Sequence, residues 1–191
     1  GGAGNDFIWG GDGADTINAG DGDDVVYTTK QGLADDTVDG GAGSNTLVFQ
    51  SAGNYWQIDD TSFDNVTFSL ASDMGNDTNF QNVAGTSSAD TLTGDSNANV
   101  IIGGGDADTL NGGAGNDTIY GGFSYLDAGS GDDNVTIPSG NWSTYLVDHL
   151  DGGEGTDTLN LLGSFGATSY GSTAAGLKVV NFENIYNARI I

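Results

Sequence analysis

The sequence contains no cysteine and a single proline among its 191 residues. The missing cysteines exclude a disulfide framework, a thiolate metal site and a cysteine nucleophile. Basic residues are scarce as well, because three stand against 27 acidic residues and give a formal charge of −24. Nucleic acid and anionic lipid are therefore not expected as partners. No apolar run approaches the roughly 18 residues of a membrane-spanning helix, so membrane insertion is not expected either.

Glycine and aspartate dominate what is present, and they recur with a period of nine residues in two arrays, 1–48 and 85–160. Every copy has an aliphatic residue at position eight: Ile8, Ile17, Val26, Val38, Leu47, Leu92, Ile101, Leu110, Ile119, Val135 and Leu159. Every copy has an acid or its amide at position six: Asp6, Asp15, Asp24, Asp36, Asn45, Asp90, Asn99, Asp108, Asp117, Asp133 and Asp157. Such a register indicates a repeat protein rather than an ordinary globular core.

Each repeat predicts a loop of six residues followed by a strand of three. Glycine-rich loops adopt left-handed backbone angles that residues with a Cβ avoid. In the strand, position eight points inward while positions seven and nine point outward. Burying one aliphatic side chain yields about 1.5–3 kcal/mol, whereas ordering each residue costs about 1–2 kcal/mol of backbone entropy. Apolar burial alone is therefore not expected to fold the chain.

A bound cation is the expected source of the missing stability. Calcium takes about six to eight oxygen ligands, including carboxylates and backbone carbonyls, and the loops supply both. Zinc is disfavoured because the sequence has no cysteine and one histidine, His149, and magnesium prefers a smaller octahedral site. We expect Ca²⁺ as the cofactor and disorder in its absence.

The pattern G-G-x-G-x-D-x-U-x, where U is aliphatic, matches fully at residues 1–9, 10–18, 112–120 and 152–160. On these residues the chain resembles the RTX (hemolysin-type) calcium-binding nonapeptide repeat family of type I-secreted proteins. The resemblance implies an all-β fold, a right-handed parallel β-roll or β-helix solenoid. In that fold two nonapeptides make one coil, and each Ca²⁺ lies between loops of adjacent coils.

Carried onto this chain, the resemblance assigns the metal ligands to the position-six residues and to loop carbonyls. The carbonyls include those of Gly2, Gly4, Gly11, Gly13, Gly20, Gly22, Gly104, Gly113 and Gly115. The implied pairs are Asp6 with Asp24, Asp15 with Asp36, Asp24 with Asn45, Asp90 with Asp108, Asn99 with Asp117, Asp108 with Asp133 and Asp117 with Asp157. About seven Ca²⁺ sites follow, and those that include Asn45 or Asn99 are expected to be weaker.

The segments outside the nonapeptides carry bulkier side chains. We expect larger β-helix rungs over 49–84, linking the first array (1–48) to the second (85–160, with insertions), and further β rungs over 161–191. A short motif recurs in them at 63–66, 80–83 and 182–185, with the pattern Phe-x-Asn-Val/Ile. The interpretation favoured by solenoid packing is a buried Phe and an Asn that hydrogen-bonds along the stack. Ligand binding is the alternative.

No motif supports catalysis. His149 lacks an H-E-x-x-H context and is expected in a loop, and no G-x-S-x-G sequence occurs, so we expect no catalytic residue and no enzyme. Six aromatic residues are expected to form stabilising ladders on the strands or, alternatively, to bind a cell-surface glycan. They are Trp9, Tyr27, Tyr120, Tyr125, Trp142 and Tyr145.

Three classes of function remain open at this point. The first is a calcium-folded structural unit of a secreted bacterial surface protein, such as an S-layer, adhesin or self-assembling fibre. The second is the C-terminal folding and secretion domain of a larger RTX enzyme or toxin, and the third is an enzyme remnant. The sequence begins within a repeat and ends after a rung, so we expect either a longer parent chain or end-to-end polymerisation.

Overall fold

The computed structural model describes residues 1–11, 13–28, 36–49, 67–70, 79–138, 149–162 and 178–187. These residues contain short β-strands and no α-helix, so no membrane-spanning helix is found among them. The strands are β1 (Gly2–Ala3), β2 (Phe7–Trp9), β3 (Thr16–Asn18), β4 (Gly20–Asp21), β5 (Val25–Thr28), β6 (Thr37–Asp39), β7 (Thr46–Phe49), β8 (Thr67–Ser69), β9 (Asn82–Ala84), β10 (Thr91–Thr93), β11 (Val100–Ile102), β12 (Asp108–Asn111), β13 (Thr118–Tyr120), β14 (Phe123–Asp127), β15 (Asn134–Ile137), β16 (His149–Asp151), β17 (Thr158–Leu161), β18 (Lys178–Val180) and β19 (Asn184–Asn187).

Two parallel sheets dominate the architecture. The long sheet has nine strands in the order β19-β17-β15-β13-β11-β9-β7-β5-β2, and the short sheet has six in the order β18-β16-β14-β12-β10-β8. Strands β3 and β6 form a further parallel pair, and β1 pairs with β4 inside the loops. Because the chain alternates between the sheets and each neighbouring strand is parallel, successive coils stack into a β-solenoid. The all-β solenoid fold class is confirmed.

The core is a row of aliphatic side chains from position eight of the repeats. Val26, Leu92, Ile101 and Ile119 are fully buried, and their neighbours at positions seven and nine are more exposed. The period-two alternation of a strand produces this inward row. In-register pairing places the aliphatic residues of successive coils next to each other, as for Ile101 and Ile119. The predicted inward position is confirmed, although Ile8 is only partly buried.

Bulkier side chains fill the core between the arrays. The rings of Phe49 and Phe68 meet edge to face with centroids 5.0 Å apart, and Leu70 and Phe80 are buried beside them. Within the Phe-x-Asn-Val motif at 80–83, Asn82 Oδ1 accepts from the backbone N–H of Val100 at 2.8 Å. Both parts of the structural interpretation are confirmed for this copy. The copy at 63–66 lies outside the described residues.

An inserted strand sets the order of the second array. Strand β14 occupies the place beside β12 in the short sheet, with Phe123 opposite Asp108. The chain then returns to the long sheet, so β15 pairs with β13. The insertion therefore counts as half a coil, which counting nonapeptides alone did not include. The loop before β15 consequently stacks on the loop before β13.

Candidate metal sites

The position-six residues that precede the long sheet form a column along one edge of the solenoid, here called the long column. The backbone N–H of each residue donates to a side-chain oxygen of the next coil. Asp6 N–H reaches Asp24 Oδ1 at 2.8 Å, and Asp24 N–H reaches Asn45 Oδ1 at 2.9 Å. Farther along, the N–H groups of Asn99, Asp117 and Asp133 bond in the same way to the next residue in the column.

The Phe-x-Asn-Val/Ile motif continues the long column. Asn45 N–H donates to Gln81 Oε1 at 2.8 Å, and Asp157 N–H donates to Glu183 Oε2 at 2.7 Å. The variable residue of the motif thus occupies the place of the repeat aspartate. Neither residue was predicted as part of the column, although each lies two residues before the aliphatic residue of its motif, as the repeat Asp does.

The other edge carries a shorter column, the short column. Asp15 N–H donates to Asp36 Oδ1 at 2.8 Å, and Asp90 N–H donates to Asp108 Oδ1 at 2.9 Å. On its other side Asp108 faces the inserted strand β14 rather than an acidic loop.

Five of the seven predicted loop pairs are adjacent in the structure, from Asp6 with Asp24 through Asn99 with Asp117. The predicted pairs Asp108 with Asp133 and Asp117 with Asp157 are wrong. Asp133 instead lies between Asp117 and Asp157 in the long column. The physical reason is the half coil added by β14, which moves the loop of Asp133 to the opposite edge.

Seven carboxylate oxygens in these columns are buried and have no hydrogen-bond partner among the described residues. They are the Oδ2 atoms of Asp6, Asp15, Asp24, Asp108, Asp117, Asp133 and Asp157. In each of these residues Oδ1 or the backbone N–H bonds to the neighbouring coil, while Oδ2 receives nothing. A buried carboxylate oxygen without a donor is costly. The arrangement therefore calls for a cation or for protonation.

The seven loops share one backbone conformation, which the loop 40–45 also has. Positions two and four have positive φ in each of them, as at Gly113 (101°) and Gly115 (106°) of the Asp117 loop. In the Asp108 loop Asp106 takes the place of the glycine at position four and keeps the positive φ, 64°. Close stacking adds a second requirement for glycine, because a Cβ on Gly113 would collide with the carbonyl oxygen of Asp95 in the adjoining coil.

Burial perturbs the ionisation of the same carboxyls. Loss of water contact raises the pKa of Asp108 to about 8, that of Asp117 to about 7 and that of Asp133 to about 6. The pKa of Asp157 is raised for the same reason. The backbone N–H donated to each carboxylate lowers the pKa by less than burial raises it. The charged carboxylates are thus destabilised in the metal-free fold.

Comparison with known families decides the identity of the repeats. Four copies of the RTX calcium-binding nonapeptide repeat match the chain, at residues 1–28, 32–48, 84–119 and 147–163, which together cover just over half of it. The chain belongs to the RTX calcium-binding nonapeptide repeat family. No curated protein and no solved structure gives a match.

The donor set of the RTX loops fits calcium. Among the described residues no three His, Cys, Asp or Glu side chains converge on one point, so carboxylates alone do not build a metal cluster. A calcium site made here therefore needs backbone carbonyls beside one or two carboxylates, and calcium accepts that mixture. The seven unpartnered Oδ2 atoms are the carboxylate oxygens free to take part.

Four of the predicted ligands do not belong to this set: Asp36, Asn45, Asp90 and Asn99. Asp90 Oδ2 accepts from the backbone N–H of Thr86 at 2.6 Å, and Asn99 Oδ1 accepts from that of Asp95 at 2.8 Å. Residues 31–35, which precede Asp36, lie outside the described residues. The assignment of these four residues to metal remains a prediction.

The single histidine and the aromatic residues lie on the outer faces of the sheets. His149 is in strand β16, not in a loop as predicted, because the insertion before it ends in a short-sheet strand. Its ring stacks on Tyr125 with centroids 4.6 Å apart, and its Nε2 lies 3.7 Å from Asp151 Oδ2. On the long sheet Trp9 is the register partner of Tyr27. Residues 142 and 145 lie outside the described residues.

Proposed function

We propose that this RTX chain is a calcium-folded structural module of a secreted bacterial surface protein. The observation that carries the proposal is the set of seven buried Oδ2 atoms without a hydrogen-bond donor, one in each loop with positive φ at positions two and four and an Asp at position six. These atoms lie in columns of closely stacked carboxylates, where a cation removes both the repulsion and the missing contact.

The chain's own residues explain how calcium would control folding. At low free calcium the stacked aspartates repel each other, and the formal charge of −24 opposes compaction. When calcium is present, each Oδ2 gains a positive partner, while the bonds from a backbone N–H of one coil to Oδ1 of the next coil remain in place. The loops of neighbouring coils then become mutually stabilising, and the aliphatic row between the sheets is buried. This is the mechanism by which an acidic repeat chain stays unfolded in the cytosol and folds outside the cell.

A structural role at a surface is supported by the outer face of the long sheet. Nine parallel strands give a flat, extended face. Its outward rows include large apolar side chains that remain more than a third exposed, among them Trp9, Ile102 and Tyr120. Extended parallel solenoids present continuous surfaces of this kind to partners. We propose that this face serves attachment or assembly in an S-layer, an adhesin or a fibre.

Calcium titration tests the proposal directly. Calorimetry on the chelated chain, followed in parallel by far-ultraviolet circular dichroism, is expected to show about seven ions bound together with a gain of β-structure. Magnesium at the same concentration serves as the control and is expected to give no such gain of β-structure, because it prefers a smaller and partly hydrated site. Absence of calcium binding, or equal folding with magnesium, would count against the proposal.

A further inference from the structure

Three loops at the centre of the solenoid are closed without a metal ion. They are 40–45, 85–90 and 94–99, and together with the turn 79–81 they are here called the central clasp. The clasp joins strands of both sheets between the two calcium-type arrays. None of its position-six side chains has a buried oxygen without a partner.

In the loop 40–45, an amide nitrogen takes the place of the cation. The loop keeps the calcium-type backbone, with positive φ at Gly41 (76°) and Gly43 (117°). Its position-six residue is Asn45, however, and Asn45 Nδ2 donates to the carbonyl oxygens of Asn79 at 3.0 Å and Gly41 at 3.4 Å. An NH₂ group carries partial positive charge and two donors. It therefore satisfies carbonyl oxygens of the kind that calcium would otherwise bind.

The loop 94–99 uses its amide in the same way and also closes on itself. Asn99 Nδ2 donates to the carbonyl oxygen of Gln81 at 2.7 Å. Asn99 Oδ1 accepts from the backbone N–H of Asp95, the residue at position two. Neither Asp95 nor Asn97 has positive φ, so this loop lacks the backbone shape of the seven calcium-type loops.

The loop 85–90 retains an aspartate but supplies its donors internally. Thr86, at position two, donates its backbone N–H to Asp90 Oδ2 at 2.6 Å and its hydroxyl to the same oxygen at 3.1 Å. Positive φ is again absent at positions two and four. The carboxylate that would reach a metal in a calcium-type loop is thus already bonded.

Aromatic side chains enlarge the apolar core beside the clasp. Phe49, Phe68, Leu70 and Phe80 are buried here in addition to the aliphatic row. Burying each of these large side chains contributes about 1.5–3 kcal/mol. The centre of the molecule therefore combines satisfied loops with buried aromatic side chains, whereas the additional buried side chains of the second array, Ile137 and Leu161, are aliphatic.

We propose that the central clasp folds without calcium and divides the chain into two separate calcium-binding blocks. One block contains the loops of Asp6, Asp15 and Asp24, and the other contains those of Asp108, Asp117, Asp133 and Asp157. The clasp provides the folded edge on which each block assembles when calcium arrives. This inference rests on the proposed function, because the blocks are defined by their response to calcium.

Hydrogen exchange of the full chain in chelator and in calcium tests the division. Four amides report on it: Asn45 N–H and Asp95 N–H in the clasp, and Asp117 N–H and Asp133 N–H in the second block. All four are expected to be protected in calcium. In chelator the two clasp amides are expected to keep their protection while the two block amides lose it.

The remaining outcomes separate the two ideas. If all four amides lose protection together in chelator, the clasp needs calcium and the inference is overturned while the proposed function stands. If all four stay protected in chelator, calcium does not hold the fold and the proposed function itself is overturned.

A charge substitution gives an independent test. Asn45→Asp places a carboxylate oxygen against the carbonyl of Asn79, so protection of the clasp in chelator is expected to fall about tenfold or more. Asn134→Asp is the matched control, because Asn134 is exposed and its Oδ1 only accepts, from Asn160 Nδ2 at 2.6 Å. Unchanged clasp protection in Asn45→Asp, or an equal loss in both variants, would contradict the proposed role of the amide.

Discussion

Asp133→Asn is expected to destabilise the protein in calcium and to stabilise it in chelator. Asp133 is 2 % exposed and lies between the loops of Asp117 and Asp157 in the long column. The amide keeps an oxygen that can accept the backbone N–H of Asp117, so the hydrogen-bonded frame survives. What the substitution removes is the negative charge and the unpartnered Oδ2.

The size of the calcium effect follows from the number of neighbouring loops. When the free calcium concentration is about one hundred times the dissociation constant of a site, the bound ion stabilises the folded state by about 2.7 kcal/mol. Asp133 has an acidic loop on each side, so losing its carboxylate affects up to two ions and costs about 5 kcal/mol in calcium. In chelator the sign reverses, because burial destabilises the charge of Asp133 and raises its pKa to about 6, and the amide carries no charge.

Two measurements check the reversal. Thermal unfolding followed by circular dichroism gives the stability in calcium, and the midpoint of folding induced by trimethylamine N-oxide gives it in chelator, since this osmolyte favours compact states. Asp108→Asn is the comparison variant, because Asp108 faces one acidic loop and the inserted strand and is expected to lose half as much in calcium. If Asp133→Asn lowers stability equally in both conditions, the residue acts through its hydrogen bonds to the neighbouring coils and the reasoning fails.

Three further predictions concern the frame and its charges. In chelator, folding is expected to improve as the pH falls from about 8 to about 5. Carboxyls with a raised pKa bind protons in the folded state at pH values where the unfolded chain has released them. A pH series of circular dichroism spectra with no gain of β-structure would contradict this. Gly153→Ala is expected to lower the melting temperature in calcium more than Gly13→Ala does. Both glycines have positive φ, but only a Cβ on Gly153 would collide with a neighbour, the carbonyl oxygen of Gly129. Equal shifts would show that φ alone matters. Ile119→Ala is expected to cost about 2–5 kcal/mol in calcium by urea unfolding, because Ile119 is fully buried in the aliphatic row, and a loss below about 1 kcal/mol would refute that packing role.

The sequence predicted the features that depend on the nine-residue period. The inward aliphatic row, the stacked position-six residues and the parallel solenoid all follow from placing a glycine loop and a short strand in alternation. Asp24 and Val26 illustrate this, because both are fully buried at the positions the register predicts. Their places are set by backbone geometry, which the period encodes directly.

The features that were missed depend on residues outside the period. The half coil at 121–127 changed the partners of Asp133, and only pairing in three dimensions reveals on which edge an insertion ends. The roles of Gln81 and Glu183 were hidden because their motif has no glycine loop before it. The internal bonds of the closed loops were not predicted for a different reason. A donor at position two, such as the backbone N–H of Thr86, reaches the position-six carboxylate only in the folded loop.

Circular dichroism of the full chain with excess chelator and then with excess calcium tests the central claim most directly. The account predicts a largely unstructured spectrum in chelator, with a residual β-contribution from the central clasp, and a full β-spectrum after calcium is added. The seven buried and unpartnered carboxylate oxygens are the reason for the difference. Identical β-rich spectra in the two conditions would contradict the account.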